Sequence, residues 1–391
     1  MIKVGVVFGG ETVEHEVSII SAVQAMNKLD NDKYEIIPIY ISKENEWFTG
    51  AALREVETFK DMELLKRYTK NVVLYNKNGR FVLQSKGFFK SIVSDVDIIF
   101  PVVHGTNVED GALQGYLRTI GVPFVGSEVL PSAIAQDKVV QKQVFASIDL
   151  PMPKYVWFYD VDYRDDNDAT VEMIEKKLDY PVIVKPATLG SSVGIKSASN
   201  KKALIKAIEE AIEYDSKIIV EEKVENLTEV NISVLGNYES QKLSEIEEVM
   251  TDNDLLTYDD KYVNGGKKLG KSGMASASRK VPASISDNLK EEVRDIAAKA
   301  FKAVGLSGDV RIDFLIDQKK KKVYINEINS CPGSLAFYLW EPVGKNFTTL
   351  LDEMINIGIK DYKKKTNKTR SFKTNILSGY SGLKGCKGKL K

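Results

Sequence analysis

Four residues have the types and spacing to do chemistry together: Arg311, Asp313, Glu327 and Asn329. The first two lie two apart in Arg311-Ile312-Asp313-Phe314-Leu315-Ile316-Asp317, the second two in Val323-Tyr324-Ile325-Asn326-Glu327-Ile328-Asn329. A lysine-rich turn separates the runs, and Ser330-Cys331-Pro332-Gly333 closes the segment. Both runs alternate with period two, which reads as an antiparallel hairpin whose alternate side chains share a face. A register pairing Ile316 with Tyr324 sets Asp313 opposite Glu327 and Arg311 opposite Asn329. Two carboxylates and an amide oxygen then converge, an all-oxygen set suited to Mg²⁺ beside phosphate. Without a cation between them, two carboxylates on one sheet face repel. The alternative is a half-exposed hairpin with ordinary outward charges.

A second candidate lies upstream. The strand Tyr180-Pro181-Val182-Ile183-Val184-Lys185-Pro186 runs into the small-residue loop Ala187-Thr188-Leu189-Gly190-Ser191-Ser192-Val193-Gly194. Backbone N–H groups in such a loop can wrap phosphate while Lys185 supplies charge. Glycine and serine suit an ordinary hairpin turn equally well. At the start of the chain, an apolar strand over 2–8 ends at Gly9-Gly10 and a helix follows. Strand, glycine pair, helix opens a doubly wound α/β unit whose helix N-terminus favours an anion. The dinucleotide fingerprint G-x-G-x-x-G is missing, so a nicotinamide role has weak support. Glu14 and His15 fall at the first helical turn, where helix electrostatics alone could explain them. The buried strand 97–103 ends in His104-Gly105, and ligands in open α/β sheets bind beyond strand carboxyl ends.

The elements that must position these residues follow in order. A second strand covers 34–41. Residues 43–94 read as an insertion with a hairpin around Asn76-Lys77-Asn78-Gly79, and the first domain closes near 126. A helical stretch over 131–148 carries Asp137-Lys138. An amphipathic helix spans 201–214, with strands over 217–223 and 229–236. The polar, glycine-rich stretch 251–283 reads as a lid or a disordered loop. A helix over 287–304 precedes the hairpin, and another over 346–358 follows it.

At 391 residues the chain exceeds one small core, so two or three domains are expected. Hydrophobic content of 43% with 28% charged residues describes a soluble globular protein. The N-terminus lacks a signal-peptide pattern, and no apolar run reaches the roughly 20 residues of a membrane span. Cys331 and Cys386 form neither a disulfide framework nor a metal-ligand spacing, which suggests the cytosol. The net charge of zero hides an asymmetry. Residues 360–391 carry eleven Lys or Arg against Asp361 alone, and the rest has 44 basic and 54 acidic side chains. Such a basic tail is expected to be solvated and flexible, with a membrane surface or nucleic acid as its other possible partners.

One motif misleads. Gly265-Gly266-Lys267-Lys268-Leu269-Gly270-Lys271-Ser272 matches G-x-x-x-x-G-K-[ST] letter for letter. That pattern works only between a buried strand and a helix. Here Asp259-Asp260-Lys261-Tyr262-Val263-Asn264 precedes it, and Pro282 follows shortly after. A cationic lid that closes over phosphates is the better reading.

Four segments together resemble the D-alanine–D-alanine ligases of the ATP-grasp superfamily. They are Phe8-Gly9-Gly10 with Val13 to Ser18, His104-Gly105 with Glu109-Asp110-Gly111, Lys185 to Gly194, and Arg311-Ile312-Asp313 with Asn326 to Asn329 and Pro332-Gly333. The resemblance spans roughly residues 2–358 and implies a three-domain α/β architecture with α+β elements. It sets a doubly wound parallel sheet over 1–126, ATP-grasp subdomains over 127–226 and 227–362, and a tail over 363–391. It implies ATP-dependent joining of two D-alanines through an acyl phosphate, for peptidoglycan precursor synthesis in the cytoplasm.

The resemblance also assigns roles. Asp313, Glu327 and Asn329 would hold Mg²⁺, two ions being expected and Mn²⁺ able to substitute. Lys138 and Lys185 would contact phosphates, as would Lys261 on the lid. Glu222, Lys223 and Val224 would line the adenine edge, and Glu229 would meet the ribose. Glu14, Ser191 and Tyr262 would orient the first substrate's amine, with His104 beside it. Arg311 and the Gly333 N–H would stabilise the tetrahedral oxyanion. Tyr338 and Leu339 would border the second substrate. A homodimer is implied, and no nucleic-acid partner.

Three departures qualify the resemblance. Gln136 replaces the usual Met before Asp137-Lys138. The lid is longer than usual. Ser334-Leu335-Ala336-Phe337-Tyr338-Leu339-Trp340 places Tyr338 where a serine is usual and is more aromatic than the family segment. The second substrate is therefore open: D-alanine, or D-serine or another small amino acid. A nucleotide-binding regulatory protein without turnover is the reading from another class. The lid reading predicts that Lys271→Ala lowers phosphate release far less than Lys185→Ala. A larger loss at Lys271, in parallel steady-state assays, would restore the P-loop.

Overall fold

The computed structural model describes residues 1–250 and 279–369. Three sheets organise them. The first contains β1 (Ile2–Gly9), β2 (Tyr34–Ile41), β3 (Trp47–Thr49), β4 (Lys70–Lys77), β5 (Arg80–Ser85), β6 (Ile92–Val96) and β7 (Ile98–Pro101), in the order 6-5-4-3-2-1-7. Strands β2, β1 and β7 run parallel, as their near-continuous apolar runs anticipate. Helix α1 (His15–Lys28) follows β1. Residues 43–94, expected as an insertion, instead widen this sheet by antiparallel pairing. Val72, Leu74 and Leu83 explain why: they join Ile39 and Ile99 in one core face. The β4–β5 turn falls at Asn78-Gly79, both in the left-handed region an Asn-Gly hairpin requires. Helix α2 (Met62–Tyr68) precedes β4 and α3 (Ala112–Ile120) follows β7.

The single helix expected over 131–148 is two, α4 (Val129–Gln136) and α5 (Lys138–Ala146). Asp137 breaks it. Its backbone is extended, and its carboxylate caps α5 by accepting from the Val139 and Val140 N–H groups. Lys217 Nζ lies 2.5 Å from the same carboxylate.

A four-stranded sheet follows: β8 (Tyr155–Tyr159), β9 (Val182–Pro186), β10 (Lys196–Ala198) and β11 (Lys217–Glu222), in the order 10-9-11-8. Helices α6 (Asp160–Asp165), α7 (Asn167–Glu175) and α8 (Lys201–Ala211) accompany it. The third sheet orders β12 (Leu227–Gly236), β13 (Gln241–Val249), β14 (Arg279–Lys280), β15 (Gly308–Asp317) and β16 (Lys322–Asn329) as 14-13-12-15-16. Helix α9 (Asp287–Val304) packs Val293, Ala297 and Phe301 against its apolar face.

Strands β15 and β16 form the expected hairpin with one correction. Ile316 pairs with Val323, not Tyr324. A bulge opposite Asp313–Phe314 absorbs one residue, and beyond it Asp313 meets Glu327 and Arg311 meets Asn329. The expected site pairs therefore form, although the turn-side register is shifted by one.

Helix α10 (Phe347–Thr366) runs eight residues beyond its expected end. Its last turn holds Lys363, Lys364 and Lys365, expected as flexible tail, and Lys364 and Lys365 pair with Glu239 and Glu128. Residues 370–391 lie outside the described part. Among the described residues no helix is long and apolar enough to cross a membrane.

Leu335, Trp340, Leu350, Leu351 and Ile355 share a core with Val4, Val6, Phe8 and Met26, so α10 and its approach complete the first sheet's core. Leu350 is fully buried there. Truncation of a buried leucine removes apolar contact and leaves a cavity. We predict that Leu350→Ala lowers stability by about 2–5 kcal/mol, read from the urea midpoint. A shift within error of zero would mean that α10 packs less closely than described.

Candidate active site

The third sheet presents one polar row. Glu327 on β16 faces Asp313 on β15, Asp313 faces Asn231 on β12, and Asn231 faces Glu247 on β13. Each acid has a cation. Arg311 Nε and Nη2 both donate to Asp313 at 2.7 Å. Lys138 Nζ lies 3.4 Å from Glu327, and Arg279 Nη1 donates to Glu247 at 3.0 Å. Burial opposes the charge on Arg311, but Asp313 outweighs it and holds the guanidinium charged. Asn329 Nδ2 donates to Asp313 at 3.1 Å. Asp313, Glu327 and Asn329 thus form a compact set of hard oxygen donors without histidine or thiolate. That chemistry fits Mg²⁺, and each carboxylate has lone pairs beyond those its cation takes.

A buried triad lies beside the row. Lys185 Nζ lies 2.5 Å from one Glu221 oxygen and Lys142 Nζ 2.8 Å from the other. Burial alone would raise the Glu221 pKa, but the two lysines pull it down to about 2. Burial also opposes the Lys185 charge, and Glu221, Glu327 and Glu229 more than offset it. Lys185 also donates to Asn326 at 3.3 Å, at the hairpin bulge. Lys142 and Glu221 were not among the expected site residues. Lys142 follows Lys138 by four on one helix, a spacing that puts both on one face. Lys138 Nζ donates to the Leu189 carbonyl at 2.7 Å, and Gln136 Nε2 to the Thr188 carbonyl at 2.5 Å, so both hold the small-residue loop. Glu222, Lys223 and Val224 border one cleft with Pro153, Tyr180 and Tyr324.

A third group gathers where β1 and β7 end. Ser191 Oγ donates to Glu14 across 177 positions of sequence. A Cβ at Gly190 would sit 2.6 Å from the Glu14 carboxylate, so a larger residue there would push that side chain aside. His104 is buried, which pushes its pKa down. Its Nδ1 donates to the Cys331 carbonyl at 2.8 Å, and its Nε2 accepts from Ser21 Oγ at 3.0 Å. Ser21 in turn accepts from the Ser334 N–H at 2.9 Å. His104 therefore positions the turn that carries Gly333. Glu109, which lay in a recognised motif without an assigned role, does the same. It accepts from the Gly105 N–H, the Ser330 hydroxyl and the Cys331 N–H.

After Gly333 the structure departs from expectation. Ser334, Leu335 and Ala336 all adopt left-handed backbone with φ between 42 and 52°, a strained conformation for residues with a Cβ. The turn directs the aromatic segment inward. Phe337 stacks on Phe347 at 4.6 Å, and Trp340 is 1% exposed. Leu339 is fully buried. Tyr338 alone of the aromatics remains at the row, donating its hydroxyl to Glu247 at 3.1 Å. Lys261 and Tyr262 lie outside the described residues.

Two antiparallel sheets meeting over buried lysines and a carboxylate hairpin, beside a mixed N-terminal sheet with a parallel β2-β1-β7 part, define an ATP-grasp ligase. The chain matches the D-ala D-ala ligase N-terminus model over residues 3–127 and the D-ala D-ala ligase C-terminus model over 144–356. It belongs to the D-alanine–D-alanine ligase family. The D-alanine–D-alanine ligase of Thermosipho melanesiensis is 39% identical over 377 residues, 96% of this chain and 98% of that protein. The Macrococcus caseolyticus ligase is 37% identical, covering 93% and 96%. Among solved structures, the VanG D-Ala:D-Ser ligase from Enterococcus faecalis superposes with a TM-score of 0.76 at 30% identity, covering 91% and 99%. The D-alanine–D-alanine ligase from Coxiella burnetii gives 0.77 at 27%, covering 94% and 97%.

Asp309 anchors the buried aromatic segment, accepting from Trp340 Nε1 at 3.0 Å and Ser233 Oγ at 2.6 Å. Burial pushes its carboxyl up to about 7. Between about pH 4 and 7 the unfolded chain releases this proton and the folded chain keeps it, so stability falls as pH rises. We predict that Asp309→Asn flattens the decline in urea midpoint between pH 4.5 and 7.5. An unchanged slope would contradict the assignment.

Proposed function

We propose that this chain joins two D-alanine molecules with ATP, giving D-alanyl-D-alanine for a peptidoglycan precursor. The observation that carries the reading is the polar row, with its acids paired to cations beside the Lys185–Glu221–Lys142 triad. Such a site can receive a phosphoryl donor because its lysines are already gathered and Lys185 is held charged by the neighbouring acids. Glu14 and Ser191 hold the ammonium of the first D-alanine. Lys138 and Lys185 bind the ATP phosphates, Glu222, Lys223 and Val224 the adenine edge, and Glu229 the ribose. Mg²⁺ held by Asp313, Glu327 and Asn329 would offset the phosphate charge.

One oxygen of the donor carboxylate attacks the γ-phosphorus and ADP leaves, giving an acyl phosphate. The second amine then attacks the acyl carbon. Arg311 and the Gly333 N–H face the oxyanion of the tetrahedral intermediate, and their rigid support by Asp313, His104 and Glu109 suits that role. The intermediate collapses with loss of inorganic phosphate and a proton. Lys261 and Tyr262 complete the site from the lid. We assign the three domains to 1–126, 127–226 and 227–362, and infer a cytoplasmic homodimer from family likeness. A second reading places D-serine at the acceptor position. It is favoured by Tyr338, whose hydroxyl is committed to Glu247.

Glu327→Gln keeps the shape and removes one charge from the oxygen set. Phosphate release in saturating D-alanine should fall at least about 100-fold while the melting temperature stays near the parent's. Turnover at the parent rate would misplace the site. Mass spectrometry of the parent's products, with D-alanine and D-serine present, decides between the two acceptors.

A further inference from the structure

The polar row does not stop at the metal-binding end. From Asp313 it passes Asn231 to Glu247, two strand spacings or about 10 Å away. Glu247 is buried and well supplied with donors: Asn231 Nδ2 at 2.9 Å, Tyr338 Oη at 3.1 Å and Arg279 Nη1 at 3.0 Å. The Arg279 guanidinium lies over the Tyr338 ring, 3.9 Å from its centroid. Its side chain is only 13% exposed. Tyr338 lies within the field of both Arg279 and Arg311. A braced guanidinium, paired with Glu247 and lying over Tyr338, therefore stands beyond Arg311 on the same sheet.

The spacing suits an amino-acid acceptor. Arg311 is placed at the tetrahedral centre, so only the acceptor residue, at most about 3.6 Å of chain, extends beyond it, and Tyr338, over which Arg279 lies, is within the field of Arg311. A guanidinium presents a fixed fork of donors matched to a carboxylate. Stacking on Tyr338 fixes the plane of that fork, and Glu247 fixes its position. Resting on the ligase reading above, we propose that Arg279, stacked on Tyr338 and braced by Glu247, binds the carboxylate of the acceptor amino acid.

The test compares D-alanine with D-alaninamide, which keeps the attacking amine and lacks the carboxylate. Parent, Arg279→Met and Arg279→Lys enzymes are assayed with ATP and each acceptor, with melting temperatures recorded. In Arg279→Met the acceptor KM for D-alanine should rise on the order of 10- to 200-fold. The first-site KM and the kcat at saturation should change less than about 2-fold, because the fork touches neither donor nor phosphate. The parent's preference for D-alanine over D-alaninamide should shrink by the same factor as the KM rise. Arg279→Lys keeps a charge without the fork and should fall between the two, which preserves the test if the methionine variant does not fold. An unchanged preference in either folded variant overturns the proposal, as does a parent that shows none. A uniform loss in kcat and every KM would assign Arg279 to fold closure and overturn it too. A parent that forms no dipeptide would instead overturn the ligase reading, and the proposal with it.

Discussion

Carboxylates placed side by side on one sheet face repel, and this chain places Glu327, Asp313 and Glu247 in one row of a four-strand span. Neighbours about 5 Å apart at an effective dielectric of about 20 would repel by about 3 kcal/mol. The row persists because each acid meets a cation from a different place in the chain. Lys138 comes from α5, Arg311 from β15 itself and Arg279 from β14. That requirement ties α5, the central hairpin and β14 to one surface. Asn231 separates Asp313 from Glu247.

The same logic governs the neighbouring sheet. Glu221 is buried between Lys142 and Lys185, and burial lowers the Lys142 pKa while Glu221 and the other nearby acids raise that of Lys185. The strong field of two lysines keeps the acid ionised despite burial. Losing either lysine would leave a buried charge poorly matched, a costly state. The bulge in β16 joins the two systems, since it carries Asn326, the acceptor of a Lys185 hydrogen bond. On the proposed reading, phosphate would compete with the carboxylates for cations that are already held in place. Pre-placed cations need little reorganisation when substrate arrives, which is the main source of catalytic advantage in phosphoryl transfer.

Legibility in the sequence followed the range of the interaction. The hairpin was readable because period-two alternation is local, and its site-end register came out as expected despite the bulge. Asp137 was not recognised as a helix break, because an Asp can sit inside a helical pattern or cap one, and only its extended backbone distinguishes the two. The antiparallel half of the first sheet read as an insertion because its short strands are separated by lysine-bearing connections, such as those with Lys60, Lys66, Lys86 and Lys90. Phe337 and Trp340 looked like pocket residues by position. Three left-handed residues before them, none a glycine, turn them into the core, and no sequence rule anticipates that turn. Glu247 and Arg279 carry no motif. They become visible only when β12 brings β13 alongside β15.

The central claim is that the row's acids, held by protein cations at rest, take a divalent ion when nucleotide binds. The direct measurement is the melting temperature with a non-hydrolysable ATP analogue as Mg²⁺ is titrated, for the parent and for Asp313→Asn. Ligand that binds only the folded state raises stability by mass action. The account predicts a Mg²⁺-dependent rise in the parent that is largely lost in Asp313→Asn. An equal Mg²⁺-dependent rise in both proteins would contradict it.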